Sequence, residues 1–269
     1  MPTTEELATI CRSWTPYSLA TFYEWVNAEQ GYKMPAHFWT VCLALTDSRI
    51  KNFQLIIGPG VGKSLLLSTI YPAWLIGHDP TQTILGISGG ESLMQGFQSS
   101  VMRIVESSPA FTESFPDVRP DKGAGWSSER GMFVTGHPPA VPDANYLAAG
   151  INSTYLTGKH AKVLIIDDLH NRENSSTADQ CKKIKQSYYD TIIGRADPMG
   201  AKFIVAGRRW STEDIYGSLI NNGSFVTLSL PFFRDGSKSL YFDVTVPDDL
   251  ECVFTDRKVL CADGEWVSV

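Results

Sequence analysis

A glycine-rich segment of the chain contains the residue types that bind phosphate groups. The segment reads Gly58-Pro59-Gly60-Val61-Gly62-Lys63-Ser64. Glycines let backbone N–H groups approach phosphate oxygens, the lysine brings positive charge to the β- and γ-phosphates, and the serine hydroxyl is a ligand for Mg²⁺. We therefore predict that this phosphate loop, extended to Leu65, binds a nucleoside triphosphate. A chance Gly-Lys-Ser in a glycine-rich turn is the alternative, because Ile57 stands where the usual pattern has its first glycine.

Two adjacent acidic residues follow the most apolar run of the chain. Residues 163–166 are all aliphatic, and Asp167 and Asp168 come directly after them. In an open α/β sheet, such a strand delivers carboxylates to the edge where nucleotides bind. We expect Asp167 to hold Mg²⁺, directly or through water, and Asp168 to polarise the attacking water as a general base. An exposed acidic turn after a core strand is the alternative.

A third segment places two arginines after another predicted strand. Arg208, Arg209 and Trp210 follow the apolar residues 203–206. An arginine at the end of a strand that neighbours the phosphate loop can contact phosphate, a partner subunit or DNA. A surface arginine pair packed over Trp210 is the alternative.

Weaker candidates lie outside these three segments. His37 precedes the phosphate-loop strand and could lie beside the base of the nucleotide, or be an ordinary histidine on a helix surface. Lys159, which precedes the acidic strand, could reach the nucleotide of a neighbouring subunit, or belong to a solvated loop. Arg172 and Arg195 are further candidates for an arginine that acts between subunits.

The elements that must position these residues alternate between strands and helices. Several strands are apolar on both faces, which is typical of a parallel sheet covered by helices on each side. We therefore predict the α/β class with a mainly parallel central sheet. Strands are predicted at 53–57, 83–88, 163–166, 202–206 and 225–228, a hairpin at 126–135, helices at 4–30 (broken near Pro16), 37–46, 63–76, 89–107 and 175–193, and an irregular segment at 108–125.

The overall composition limits the kinds of partner and location. The net charge is −6. A domain that holds duplex DNA by its overall field is normally basic, so DNA contact would have to be local, transient or supplied by a partner. The sequence has no apolar run of about 18 residues and no positively charged leader, so we expect neither a membrane span nor a secretory signal. Five scattered cysteines lack metal-ligand spacing and are expected to be reduced thiols.

Taken together, the segments resemble the large terminase subunit of tailed bacteriophages. The order and spacing match over residues 35–230. The matching stretches are residues 53–64, residues 150–158, Ile165-Ile166-Asp167-Asp168, and Gly207-Arg208-Arg209-Trp210 followed by Asp214, Ile215 and Gly217. The resemblance implies a P-loop NTPase of the additional-strand (ASCE) type that uses ATP and Mg²⁺.

The same resemblance implies a function and a set of partners. Such proteins are motors that couple ATP hydrolysis to translocation of double-stranded viral DNA into a procapsid. The implied partners are the DNA, the portal protein, the small terminase subunit and further copies of the chain. We expect a ring, of five subunits in many relatives, on the portal and a monomer in dilute solution. The implied location is the cytoplasm of the infected bacterial host, with no membrane partner.

The chain departs from that family at particular positions. Many members carry an arginine where this chain has Pro59, and some carry a trans-acting arginine where it has Thr157. The trans-acting cation is then left to Lys159, Arg208 or Arg209. Asp168 stands where many P-loop ATPases have glutamate, and its shorter side chain requires a closer approach or an intervening water.

The resemblance also suggests how the chain is divided. We expect an N-terminal helical segment at 1–34, a P-loop ATPase domain at 35–234, and a linker or small hairpin appendage at 235–269. Large terminases usually continue into a nuclease domain of the ribonuclease-H type, for which the residues after 234 are too few. We therefore expect that domain to be absent.

Two other functions stay open at this point. One is a different ASCE P-loop ATPase acting on DNA, such as a helicase or a remodeller, although no second helicase-like domain is visible. The other is a nucleotide-gated assembly component that binds ATP without turnover. The adjacent carboxylates of Asp167 and Asp168 count against the latter, because a general base serves no purpose there.

Overall fold

A computed structural model of the chain describes residues 2–230 and 242–255, together with the backbone of 258–260 and 266–268. Nine strands in these residues form one mixed sheet with the order β3-β4-β5-β2-β6-β7-β1-β8-β9. The strands are β1 (Asn52–Ile57), β2 (Ile84–Ser88), β3 (Trp126–Ser127), β4 (Gly131–Met132), β5 (Tyr146–Gly150), β6 (Val163–Asp167), β7 (Lys202–Gly207), β8 (Val226–Leu230) and β9 (Asp243–Thr245).

The centre of the sheet is parallel and its edges are antiparallel. The six strands from β5 to β8 pair in parallel, whereas β3, β4 and β9 pair antiparallel. The predicted α/β class, with a mainly parallel sheet flanked by helices, is thus confirmed. A separate antiparallel pair joins β10 (Lys258–Leu260) to β11 (Trp266–Ser268).

Helices connect the strands and cover the sheet. The α-helices of the described residues are α1 (Thr4–Cys11), α2 (Pro16–Val26), α3 (Phe38–Thr46), α4 (Lys63–Leu65), α5 (Tyr71–His78), α6 (Glu91–Ser107), α7 (Pro109–Ser114), α8 (Ala178–Ser187) and α9 (Ile215–Asn222). A π-helical segment, Leu66–Ile70, joins α4 to α5, and a second one, Tyr188–Ile192, follows α8. The break near Pro16 is confirmed, because the Thr15 side chain accepts the Ser18 N–H and Pro16 opens α2.

The apolar strands pack on both faces, which explains their composition. In β6, Ile165 belongs to one core cluster while Leu164 and Ile166 belong to the other. The first cluster also contains core residues of α1 and α2, so the N-terminal helices pack into the main core. Burial on both faces is what a continuous aliphatic strand of a parallel sheet requires.

Two elements differ from the sequence-based prediction. The segment 108–125, predicted to be irregular, begins with α7, where Ser108 is the N-cap and Pro109 occupies the first turn. Strand β5 had no predicted counterpart, although all five of its residues are buried. The predicted domain boundary at residue 234 lies outside the described residues. None of the described helices has the length and apolar composition needed to cross a membrane.

Candidate active site

The carboxyl ends of three adjacent strands bring the predicted site residues together. Strand β7 lies between β6 and β1, and all three run in parallel. The phosphate loop leaves β1, Asp167 ends β6, and the arginine segment follows β7. Because the carboxyl ends of parallel strands lie at the same edge of a sheet, residues that are distant in sequence come close together there.

The phosphate loop has a backbone that only glycine adopts easily. Gly60 and Gly62 have φ values of 77° and 85°, in the left-handed region that other residues rarely occupy. In the described part of the chain, no backbone carbonyl or side chain accepts a hydrogen bond from the N–H groups of Gly60, Val61 or Gly62. These donors are therefore free for an external anion.

Lys63 lies between the loop and the two carboxylates. Its side chain is 9% exposed, and its ammonium group forms an ion pair with Asp168. The distance from Lys63 Nζ to Asp167 Oδ1 is 3.9 Å. The positive charge of Lys63 and the negative charges of Asp167 and Asp168 thus lie close together.

The two carboxylate oxygens of Asp167 have different environments. Its Oδ2 accepts a hydrogen bond of 3.0 Å from Ser68 Oγ. Its Oδ1 is buried and has no hydrogen-bond partner in the described residues. Burial raises the pKa of Asp167, while Lys63 and the nearby Ser64 and Ser68 hydroxyls oppose that rise. A buried carboxylate oxygen without a donor is a site that a cation would stabilise.

Asp168 occupies an unusual backbone conformation. Its φ is 46°, and it is the non-glycine residue with positive φ among those described. The conformation is fixed because its N–H donates to the Ala206 carbonyl at 2.9 Å and its carbonyl accepts the Gly89 N–H at 3.2 Å. Such strain, on the order of 1–3 kcal/mol, is concentrated at functional sites and turns the side chain in a direction that regular strand geometry does not allow.

A cavity of about 460 Å³ opens over this edge of the sheet. Three cationic side chains contribute to its wall. The residues that line it include Lys63, Asp168, His170, Arg172, Arg208 and Trp210. Its charge and the free N–H groups of the loop suit a polyanionic ligand.

The two candidate arginines have different environments. Arg209 donates from Nε to both carboxylate oxygens of Asp214, at 3.0 and 3.1 Å, and donates to the Ser211 carbonyl. Arg208 instead lies with Cζ 3.9 Å from the centre of the Trp210 ring and lines the cavity. The structure therefore brings Arg208, and not Arg209, to the predicted site.

Asp214 anchors the arginine segment. Burial tends to raise its pKa, but N–H donors from Gly217, Trp210 and Ser211, together with Arg209, outweigh burial and lower that pKa. The side chain is 0% exposed and also caps α9 by accepting the Gly217 N–H. This cap fixes the direction in which the preceding loop presents Arg208 to the cavity.

Two side chains at this edge of the sheet were not predicted from the sequence, Ser68 and His170. His170 is buried, its Nδ1 lies 2.7 Å from Ser175 Oγ, and its Nε2 accepts the Ile215 N–H at 3.1 Å. Burial lowers the pKa of His170, which favours the neutral ring that this pairing requires. The ring thus connects the loop after β6 to the start of α9.

The remaining candidates lie outside the cavity. Lys159 is at the amino edge of the sheet, with Nζ 3.7 Å from Asp143 Oδ1. Arg195 is also at that edge, where its carbonyl accepts the Ala161 N–H. His37 is closer to the loop, because a Cβ atom placed at Gly62 would lie 3.6 Å from the ring of the next residue, Phe38. Burial lowers the pKa of His37, and its Nε2 has no partner in the described residues.

The residues predicted to hold Mg²⁺ fit that ion. Asp167 provides a buried oxygen without a donor, and the Ser64 hydroxyl lies near the same carboxylate. Mg²⁺ commonly binds through one or two protein oxygens, several waters and the phosphates of a nucleotide.

Comparison with known sequences adds nothing to this geometry, since no family model matches the chain and no curated protein matches it significantly.

Proposed function

We propose that the chain is an ASCE-type P-loop ATPase. The observation that carries the proposal is the placement of Lys63 against Asp167 and Asp168 at the carboxyl edge of a parallel sheet. The strand order supports the ASCE type, because β7 is inserted between the phosphate-loop strand β1 and the acidic strand β6. An additional strand at that place defines the class.

In this proposal the loop binds the phosphates and Lys63 orients them. The free N–H groups of Gly60, Val61 and Gly62 donate to phosphate oxygens, and Lys63 Nζ transfers from Asp168 to the β- and γ-phosphates. Ser64 and Asp167 hold Mg²⁺, which when bound neutralises charge that develops on the phosphates. His37, on the α3 side of the loop, is the candidate for contact with the base.

Asp168 then acts on water. Once Lys63 turns to phosphate, the carboxylate loses its ion pair and can accept a proton from a water in line with the γ-phosphate. Its partial exposure, 33% of the side chain, gives solvent access to that position. Arg208 and Arg172 line the same cavity and are candidates to stabilise the charge of the transferring group.

We further propose that the ATPase is the motor of a viral DNA-packaging terminase. The resemblance of the four sequence segments supports this cargo, namely double-stranded DNA moved into a procapsid through a portal. In such a ring, Lys159, which lies outside the cavity of its own subunit, is the candidate cation for the nucleotide of the next subunit. The small terminase subunit is the further partner that the resemblance implies.

Phosphate release from ATP is the direct test. We expect ATP binding by the isolated chain and phosphate release that increases when linear double-stranded DNA and portal-bearing procapsids are added. Displacement of a triplex-forming oligonucleotide from the same DNA would report translocation. ATP binding without turnover under all these conditions would favour a nucleotide-gated assembly component. Turnover that separates DNA strands without portal would favour a helicase.

A further inference from the structure

Ser68 occupies an unusual place in the helix that follows the phosphate loop. It lies in the π-helical segment Leu66–Ile70, between α4 and α5, and is 0% exposed. Single π-helical turns within α-helices are rare and are frequent at functional sites. Here the turn begins three residues after Lys63 and presents Ser68 to the end of β6.

The Ser68 hydroxyl binds one oxygen of Asp167, and the other oxygen has no hydrogen bond in the described residues. Ser68 Oγ donates to Asp167 Oδ2 at 3.0 Å, whereas Oδ1 is buried without a hydrogen-bond partner among the described residues. A carboxylate held through one oxygen cannot rotate freely, so its other oxygen keeps one direction. That direction is toward Lys63, whose Nζ is 3.9 Å from Oδ1.

Ser68 is itself held by a side chain from the same core cluster, on the strand two positions from β6. Tyr146 of β5 donates from its hydroxyl to the Ser68 carbonyl at 3.0 Å. The absence of a side chain at Gly86 of β2 leaves room for the Tyr146 hydroxyl, because a Cβ atom at that position would lie 2.7 Å from the hydroxyl oxygen. Tyr146 is fully buried, so this contact is shielded from competing water.

We infer that Ser68, supported by Tyr146, is a positioning residue that orients Asp167 toward Mg²⁺ of a bound nucleotide. The inference rests on the proposed function. Groups that hydrogen-bond to a metal ligand commonly change metal affinity by about 10- to 100-fold when they are removed. Ser68 touches neither nucleotide nor metal in this scheme and acts only through Asp167.

The test separates metal-dependent from metal-independent nucleotide binding. ADP affinity is measured by calorimetry for the wild type, Ser68→Ala and Tyr146→Phe, once with Mg²⁺ and once with EDTA. We expect Ser68→Ala to reduce the affinity gain that Mg²⁺ gives by about 10-fold and to leave the affinity in EDTA unchanged. Tyr146→Phe should show a smaller loss in the same direction. Thr69→Ala, a buried neighbour in the same π-helical segment, is the matched control and should behave as the wild type.

Several results would overturn the inference. An unchanged Mg²⁺ gain in Ser68→Ala would show that Asp167 needs no orientation by this hydroxyl. Equal losses with Mg²⁺ and with EDTA would indicate a purely structural role, which urea unfolding in EDTA would reveal independently. If Ser68→Ala fails to fold, Tyr146→Phe alone decides. A wild type that binds no ADP would overturn the proposed function and this inference with it. That result is distinct from failure of the inference alone, because it is seen in the wild type without any variant.

Discussion

Lys63 and Asp168 form an ion pair that joins the phosphate loop to the end of β6. The two residues are 105 positions apart in sequence and meet because β1 and β6 end at the same edge of the sheet. The pair neutralises the group proposed as the general base. A nucleotide phosphate that attracts Lys63 would therefore bind and release the base in a single event.

The first prediction concerns Lys63. Lys63→Ala should weaken ATP binding by about 10-fold or more, because hydrogen bonds to charged groups contribute about 1.5–3 kcal/mol. Calorimetric titration with ATP measures the change. Lys122→Ala, which removes a lysine with a 63% exposed side chain, is the matched control and should bind as the wild type. Equal affinity in the two variants would show that the loop is not the phosphate site.

The second prediction concerns Asp168. Asp168→Asn should reduce phosphate release by about 10²- to 10⁴-fold, since general-base catalysis contributes that much, while ATP binding is retained. Asparagine tolerates the left-handed backbone that φ 46° requires, so the variant isolates chemistry from folding. Asp168→Ala should lose turnover equally and also lose stability in urea unfolding. Turnover that persists in Asp168→Asn would remove this residue from the role of base.

The local part of the site could be predicted from sequence, because the signals are local. A glycine loop between an apolar strand and a helix indicates the proposed phosphate site, and an aliphatic run that ends in two aspartates indicates the acidic strand. Each requires only adjacent residues. For the sheet that brings them together, only the class, a mainly parallel sheet, could be predicted, and its strand order could not.

The missing parts depend on contacts between distant residues. Strand β5 reads Tyr-Leu-Ala-Ala-Gly, which lacks the β-branched residues that favour strands, and it is a strand because β2 and β4 pair with it. Ser68 and His170 form hydrogen bonds with Asp167 and Ile215, at sequence separations that no periodicity links. Arg208 and Arg209 are adjacent, and only the partner of Arg209, Asp214, distinguishes their roles.

The third prediction separates those two arginines. Arg209→Ala should lower the free energy of unfolding by about 1–2 kcal/mol, because fully buried Asp214 loses a charged hydrogen-bond partner. Arg208→Ala should change stability less, since its guanidinium stacks on the Trp210 ring at the cavity wall and has no ion pair in the described residues, and it should reduce phosphate release. Urea unfolding and phosphate release are measured on both variants. The opposite assignment, with Arg208→Ala the less stable variant, would contradict the structure.

The last prediction concerns the acid sensitivity of the fold. The pKa of His78 is lowered to about 4, because burial lowers it more than the Cys11 backbone raises it. The centre of its ring lies within 5.1 Å of the ring centres of Trp14, Trp74 and Phe115. The unfolded chain therefore takes up the proton first as pH falls. The stability that neutral His78 contributes is complete above the unfolded pKa of about 6.5 and is lost between pH 6.5 and 4, up to about 3 kcal/mol.

His78→Phe should remove this dependence, because phenylalanine keeps the aromatic packing and has no proton to bind. Urea unfolding at pH 7 and pH 5 should then give a smaller difference in free energy for the variant than for the wild type. His160→Phe, a change at an exposed histidine, is the control and should keep the wild-type difference. His37 and His170, whose pKa values burial also lowers, contribute to the dependence that remains in His78→Phe. An equal pH effect in His78→Phe and the wild type would show that the aromatic cluster does not hold His78 neutral.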